Sequence, residues 1–239
     1  MKLSFVIQDL FCQGAQYATA LMCRGFIAKG FEVDLIVSAF HDALMTAGKT
    51  GFFPVPEQVH WIHLKDVRAS RNILELRQYL KTTDAAAVVS MCSTYTEALA
   101  VASLGLWKCP RLFSVEHGIT FALREDWSEK TSSGIFSKAW FEMRLIKHQF
   151  DGFLTVSRRI ADEYHRMYDI KANVVYNPVL PPPEDALSTS ICPEQRIVTA
   201  GSFTADKKRD ENKDKKFLFL KSCVNIYFPF DSIKPNSRI

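Results

Sequence analysis

Residues 153–179 read FLTVSRRIADEYHRMYDIKANVVYNPV: a short strand-like run ending at Ser157, an amphipathic segment of helical period, and a second β-branched run stopped by Asn177-Pro178. The order is strand, helix, strand. Two strands separated by a helix are joined by a crossover and lie parallel in one sheet. A strand that passes through a small hydroxyl residue into a helix leaves backbone N–H groups and the positive helix end at the sheet's carboxyl edge, where anionic ligands settle. That edge is where binding residues are expected.

The same alternation extends along most of the chain. Strand-like runs fall at residues 3–7, 32–37, 60–64, 86–91, 112–115, 153–156 and 173–176, and helix-like runs at 16–29, 70–81, 96–104, 136–150 and 158–168. The pattern predicts an α/β fold, a Rossmann-like parallel sheet with helices on both faces. Lys29-Gly30 supplies a cation and then a C′ glycine, a helix stop. Hydrophobic residues make up 47% of the 239 residues, enough for a sizeable core.

At residue 179 the composition shifts. Pro181, Pro182 and Pro183 precede a Ser/Thr cluster, so residues 1–178 read as one domain and 179–195 as a linker. Residues 196–210 open a further strand and turn that the chain does not continue. Residues 211–239 lose the alternation and read as an aberrant or disordered tail, the mark of a frameshift or truncation. The tail holds six Lys or Arg against three Asp or Glu, most of the net charge of +4. The body carries no basic stripe, which argues against a nucleic-acid partner.

The six cysteines have neither a C-x-x-C pair nor zinc-type spacing with histidine, so no metal is expected and most are read as small buried hydrophobes in a reducing compartment. MKLSFVIQDL is too short and polar for a signal peptide, and no apolar run reaches the roughly 20 residues that span a bilayer. A cytoplasmic location follows as the expectation. The helix at 136–150 combines Trp140 and several Phe with Lys138, Arg144, Lys147 and His148. Core packing is its favoured role, with peripheral contact at an anionic membrane face through residues 135–150 as the alternative.

Candidate site residues gather at strand ends. Gly14, after the first strand, would let backbone approach a ligand or simply relieve a tight turn. The single glycine is not a G-x-G-x-x-G fingerprint, which disfavours a nicotinamide-dependent oxidoreductase. Glu116-His117 ends the fifth strand, where the imidazole can move a proton or hold a sugar hydroxyl and Glu116 could orient the ring. Ser93, Thr94, Tyr95 and Ser157 stand where N-caps are expected, and Glu97 in a first helical turn. The charged loop 118–134 follows the fifth strand directly, a frequent place for function.

In order along residues 1–210, the glycine turn, KGFEVDLIV, EHG, LTVSRRIADEY, VVYNPV and GSFTADKK resemble the landmarks of a GT-B glycosyltransferase of family 4 type. The resemblance implies the N-terminal, acceptor-side half of two facing Rossmann-like domains, with an incomplete second domain. It implies retaining transfer of a sugar from a nucleotide-sugar to a glycan or lipid-linked acceptor, with no cofactor beyond that donor. By position it puts His117 at the reacting sugar as the catalytic residue. Gly14 would lie near the donor phosphates or the transferred sugar, with Ser93, Glu116, Ser157 and Asn177 among the substrate-binding positions. Lys207 would meet the donor diphosphate, while Ser202 stands where the family carries an arginine. With most of the donor side missing, the expectation is a truncated chain, weakly active or inactive alone. The rival expectation is a non-catalytic module that binds a glycan or a partner.

Overall fold

Each of the seven apolar runs forms a strand: β1 (Lys2–Val6), β2 (Glu32–Val37), β3 (His60–His63), β4 (Ala87–Ser90), β5 (Arg111–Glu116), β6 (Gly152–Thr155) and β7 (Asn173–Val174). They make one sheet in the order β3-β2-β1-β4-β5-β6-β7, and every adjacent pair is parallel. This computed structural model describes residues 1–118 and 146–178, all within the unit Met1–Val179. Most of the loop at 118–134 and of the helix expected at 136–150, the linker, Lys207 and the tail lie outside the described residues.

Five α-helices cover the sheet among the described residues: α1 (Gly14–Ala28), α2 (Ala39–Thr46), α3 (Ile73–Thr82), α4 (Ser93–Ser103) and α5 (Arg158–Tyr168). Side chains alternate across the strands, so two cores form. Phe5, Leu35, Val37 and Val115 pack on one face with Cys23 of α1. Val6, Ile36, Val88, Leu112 and Phe153 pack on the other with Leu76, Leu80, Leu99, Ile160 and Tyr164 from α3, α4 and α5. Burial on both faces is why these strands read as continuous apolar runs.

The stop after α1 is a Schellman motif. Gly30 N–H donates to the Ile27 carbonyl, Phe31 N–H to the Phe26 carbonyl, and Gly30 takes the left-handed φ of 80° that the motif requires. The Phe26 and Phe31 rings meet at 5.4 Å, closing the end hydrophobically. Two expectations change. The helix expected at 70–81 is divided into a 3-10 turn (Ala69–Arg71) and α3, because buried Asn72 exchanges hydrogen bonds with the Asp66 backbone at 3.0 and 2.8 Å. Helix α2 was not anticipated: it spans eight residues, of which only His41 is buried, so no apolar stripe announces it. Its signal was Ser38, whose Oγ accepts from Phe40 N–H. Of the helix expected at 136–150, the described end contributes a 3-10 turn (Lys147–Gln149) and the buried Ile146 and Phe150.

One polar row crosses the sheet interior. Ser4, Asp34 and His60 stand in register on β1, β2 and β3. The Tyr79 hydroxyl donates to Asp34 Oδ2 at 2.6 Å, so the Ser4 hydroxyl donates to Tyr79, also at 2.6 Å. His60 Nδ1 lies 3.0 Å from Asp34 Oδ1. Burial, followed by the Asp34 carboxylate, raises the Tyr79 pKa. A nearly buried carboxylate survives here because donors surround it. Tyr79→Phe should therefore lower stability by about 1–3 kcal/mol through loss of a donor to a buried acceptor. Urea denaturation would show this as a lower midpoint at unchanged m-value.

Candidate functional site

Because every strand is parallel, all carboxyl ends share one edge. The strand order reverses between β1 and β4, so the helices leaving these two strands diverge and leave a crevice at that edge. The helices that follow β1 and β4 have a common peculiarity. Gln13 and Cys92, the N-cap residues of α1 and α4, supply no side-chain cap, and neither helix has an acid in its first turn. By contrast α2 and α5 are capped by Ser38 and Ser157, the latter accepting from Ile160 N–H at 3.3 Å. The two helix starts at the crevice thus lack side-chain caps, and no acid of the first turn offsets their positive ends.

This corrects the capping expectations for α4. Its N-cap is Cys92, so Ser93, Thr94 and Tyr95 are already helical and none caps it, and Glu97 lies beyond the first turn. Only Ser157 acts as expected. Gly14 is the first residue of α1; its φ is not positive, and a Cβ there would meet nothing within 4 Å. The tight-turn explanation for this glycine therefore fails. Strain in the turn sits instead at Cys12, with φ 50°. Cys12 is held there by its N–H and Sγ to the Gly51 carbonyl, both at 3.3 Å. Gly51 has φ 108°, and a Cβ on it would collide with Cys12 Sγ. Phe11 bridges Phe52 alongside. Of the four described cysteines, Cys12 and Cys109 are exposed, against the expectation of burial, whereas Cys23 is buried and its thiol pushed up to about 12.

At the end of β5 the two neighbours separate. Glu116 is 5% exposed and receives a hydrogen bond from Ser114 Oγ at 3.3 Å. Ser114 continues through Thr96 to Ser90, at 2.8 and 3.0 Å, as a buried hydroxyl chain. Glu116 makes no hydrogen bond to His117 and so does not orient its ring as expected. Burial pushes the Glu116 carboxyl up to about 7, against the lowering influence of the Ser114 and Tyr164 hydroxyls. His117 is partly buried, and neither ring nitrogen has a hydrogen-bond partner among the described residues. Burial lowers its pKa, and the Asn177 amide opposes that shift without closing to a hydrogen bond. At neutral pH the ring is uncharged, with one donor and one acceptor free. The structure thus brings His117 and Asn177 together, the first from just past β5 and the second from just past β7.

Sequence reading missed Asp9 and Gln16. Asp9 is buried, accepts from Phe11 N–H at 2.7 Å, and lies 3.5 Å from Gln16 Nε2. Gln16 Oε1, in the first turn of α1, is buried without a partner among the described residues. An acid at the end of a strand, two residues before a turn N–H, was the available signal.

The profile of Glycosyltransferase Family 4 matches residues 13–180, more than half of the sequence. The chain belongs to this family. No curated protein matches it. Similar solved structures include the lipopolysaccharide outer core galactosyltransferase WaaB, at 14% identity and TM-score 0.46 over 77% of this chain and 49% of that one. HepE of Anabaena, solved with UDP and glucose, matches at 13% and 0.48 over 75% and 45%, and MurG of Acinetobacter baumannii at 9% and 0.43 over 79% and 49%. The chain spans about half the length of each of these proteins. The described unit is a Rossmann-like α/β fold, one all-parallel sheet with helices on both faces.

Two outcomes test this site of the family 4 chain. Ser157→Ala should cost about 1 kcal/mol through loss of the α5 cap, while Ser93→Ala leaves stability nearly unchanged, as read by thermal unfolding. Glu116 is harder to ionise folded than unfolded, so its burden is absent below the ordinary carboxylate pKa of 4.5 and fully present above about 7. Glu116→Gln should therefore gain on the wild type by on the order of 3 kcal/mol between these pH values and no further above them, measured by urea midpoints.

Proposed function

We propose that this unit is the acceptor-side lobe of a retaining transferase that moves a sugar from a nucleotide-sugar to a glycan or lipid-linked acceptor, with His117 at the reacting sugar. The observation that carries the reading is His117 itself: a neutral imidazole at the carboxyl edge, both nitrogens without partners, facing an amide. Buried polar groups are ordinarily satisfied, so an unpaired ring at a sheet edge is suited to a hydroxylated ligand. Family membership supports the same assignment.

Each further residue has a role suggested by its place. The uncapped starts of α1 at Gly14 and of α4 at Ser93 favour negative charge, and the diphosphate of a nucleotide-sugar is the anion that such chemistry brings. Neutral His117 can accept from one sugar hydroxyl and donate to another oxygen, with the Asn177 amide beside the ring. Glu116 and Ser157 are positioning residues, the one by its buried hydroxyl chain and the other by capping α5. Lys207 would add a cation for the departing diphosphate.

NMR on residues 1–239 tests the reading. A panel of oligosaccharides and UDP-sugars should shift the His117 ring and Asn177 amide signals, and His117→Gln should weaken sugar binding at least tenfold. If no sugar or nucleotide-sugar moves either signal, the proposal is wrong.

A further inference from the structure

The stretch from α2 into β3 is rich in aromatic residues, and a cavity of about 290 Å³ opens among them. Phe52, Trp61 and His41 contribute rings to its lining, with Leu10, Met45 and Glu57 beside them. That volume is at the small end of ligand pockets, which run from roughly 300 to 1,000 Å³. The His41 ring stacks on Trp61, with centroids 5.3 Å and planes 26° apart, and stands edge-on to Phe52 at 5.0 Å. His63 of β3 stacks on Trp61 in turn and holds Asp42 at 2.7 Å. The aromatic wall is thus fixed by α2, by β3 and by the loop between them.

The polar groups of the cavity are few and of one kind. His41 is 5% exposed, and its Nδ1 is buried with no hydrogen-bond partner among the described residues. Burial lowers its pKa and His63 acts the same way, against the opposing pull of the Asp42 and Asp9 carboxylates. The ring is therefore neutral at neutral pH and has an acceptor nitrogen to offer. Glu57 is exposed on the lining and makes no ion pair or hydrogen bond among the described residues. Among those residues no Lys or Arg lines the cavity. Carboxylates thus surround it, and the one base on its lining is held uncharged.

We propose that this cavity binds a small organic cation, a primary ammonium on an aromatic body, with the body against Phe52 and Trp61 and the ammonium between Glu57 and His41. The lining selects this class. An apolar body fits the rings, and aromatic walls also attract positive charge. An ammonium supplies the N–H donors and the charge that the imidazole and the carboxylate lack. An anion would meet Glu57 as a like charge, and a sugar would bury hydroxyls that two polar side chains cannot satisfy. The proposal does not rest on the transferase reading, since His117 and Asn177 take no part in it.

The test titrates residues 1–239 with phenethylammonium, followed by calorimetry and by NMR of the His41 ring. The ammonium should shift that ring and bind about tenfold more tightly than phenethyl alcohol, which has the same body without the charge. Met45 lines the cavity and is 55% exposed, so changes there spare the core. Met45→Lys should weaken the ammonium about fivefold and leave the alcohol alone, while Met45→Leu changes neither. Glu57→Gln should weaken the ammonium about threefold with the urea midpoint retained. His41→Phe keeps a ring against Trp61 but removes its nitrogens, and should narrow the preference for ammonium over alcohol. Equal binding of the two, tighter binding of phenylacetate, or an ammonium affinity indifferent to both Glu57→Gln and Met45→Lys would overturn the proposal. So would a wild-type dimer dissociated by Met45→Lys, which would make a second copy the occupant. His117→Gln should leave ammonium binding intact, so cation binding here and sugar shifts at His117 stand or fall separately.

Discussion

Parallel pairing from β3 to β7 is the constraint on which the rest depends. A parallel sheet must bring the chain back by a crossover after each strand, so helices cover both faces and every loop that follows a strand emerges at one edge. Residues as distant in sequence as Gly14, Ser93, His117 and Asn177 meet at that edge by topology alone. The reversal of strand order between β1 and β4 parts the helices there and leaves their first turns open. The chemistry at the edge is then set by what the side chains do not do: of the five described helices, only α1 and α4 have neither a side-chain cap nor an acid in the first turn.

Burial acts differently on the two neighbours at the end of β5. Removing a carboxyl from water favours its neutral acid, and removing an imidazole from water favours its neutral base. Glu116 and His117 are both shifted toward the uncharged form, one upward and one downward, at the end of one strand. The inward residue is fixed by a row of hydroxyls and belongs to the core. The other keeps its polar atoms uncommitted. Two adjacent residues of similar chemical promise thus divide into a support and a contact.

The fold was legible in the sequence because burial on both faces writes each strand as an apolar run, and all seven runs are strands within one or two residues of their expected ends. What escaped was structure held by polar contacts. Helix α2 buries too little to show a stripe, and the start of α3 is decided by Asn72 reaching back to Asp66. At the site, the positions at strand ends were readable, since the turn after a strand is visible in composition. The roles were not. Whether Ser93 or Ser157 caps its helix depends on one residue of helical register, and the pairing of His117 with Asn177 depends on β6 and β7 lying side by side. Neither relation is local in sequence.

The turn between β1 and α1 is stitched to residues 51–53 by the Cys12 and Phe53 amides and by the Phe11 and Phe52 pair. Those residues lead into β3, the outermost strand on that side. The centre of the sheet and its border are accordingly joined through a loop as well as through the ladder. A push on the border strand would travel to the mouth of the crevice along this second route, so surface far from the crevice has mechanical leverage over its width.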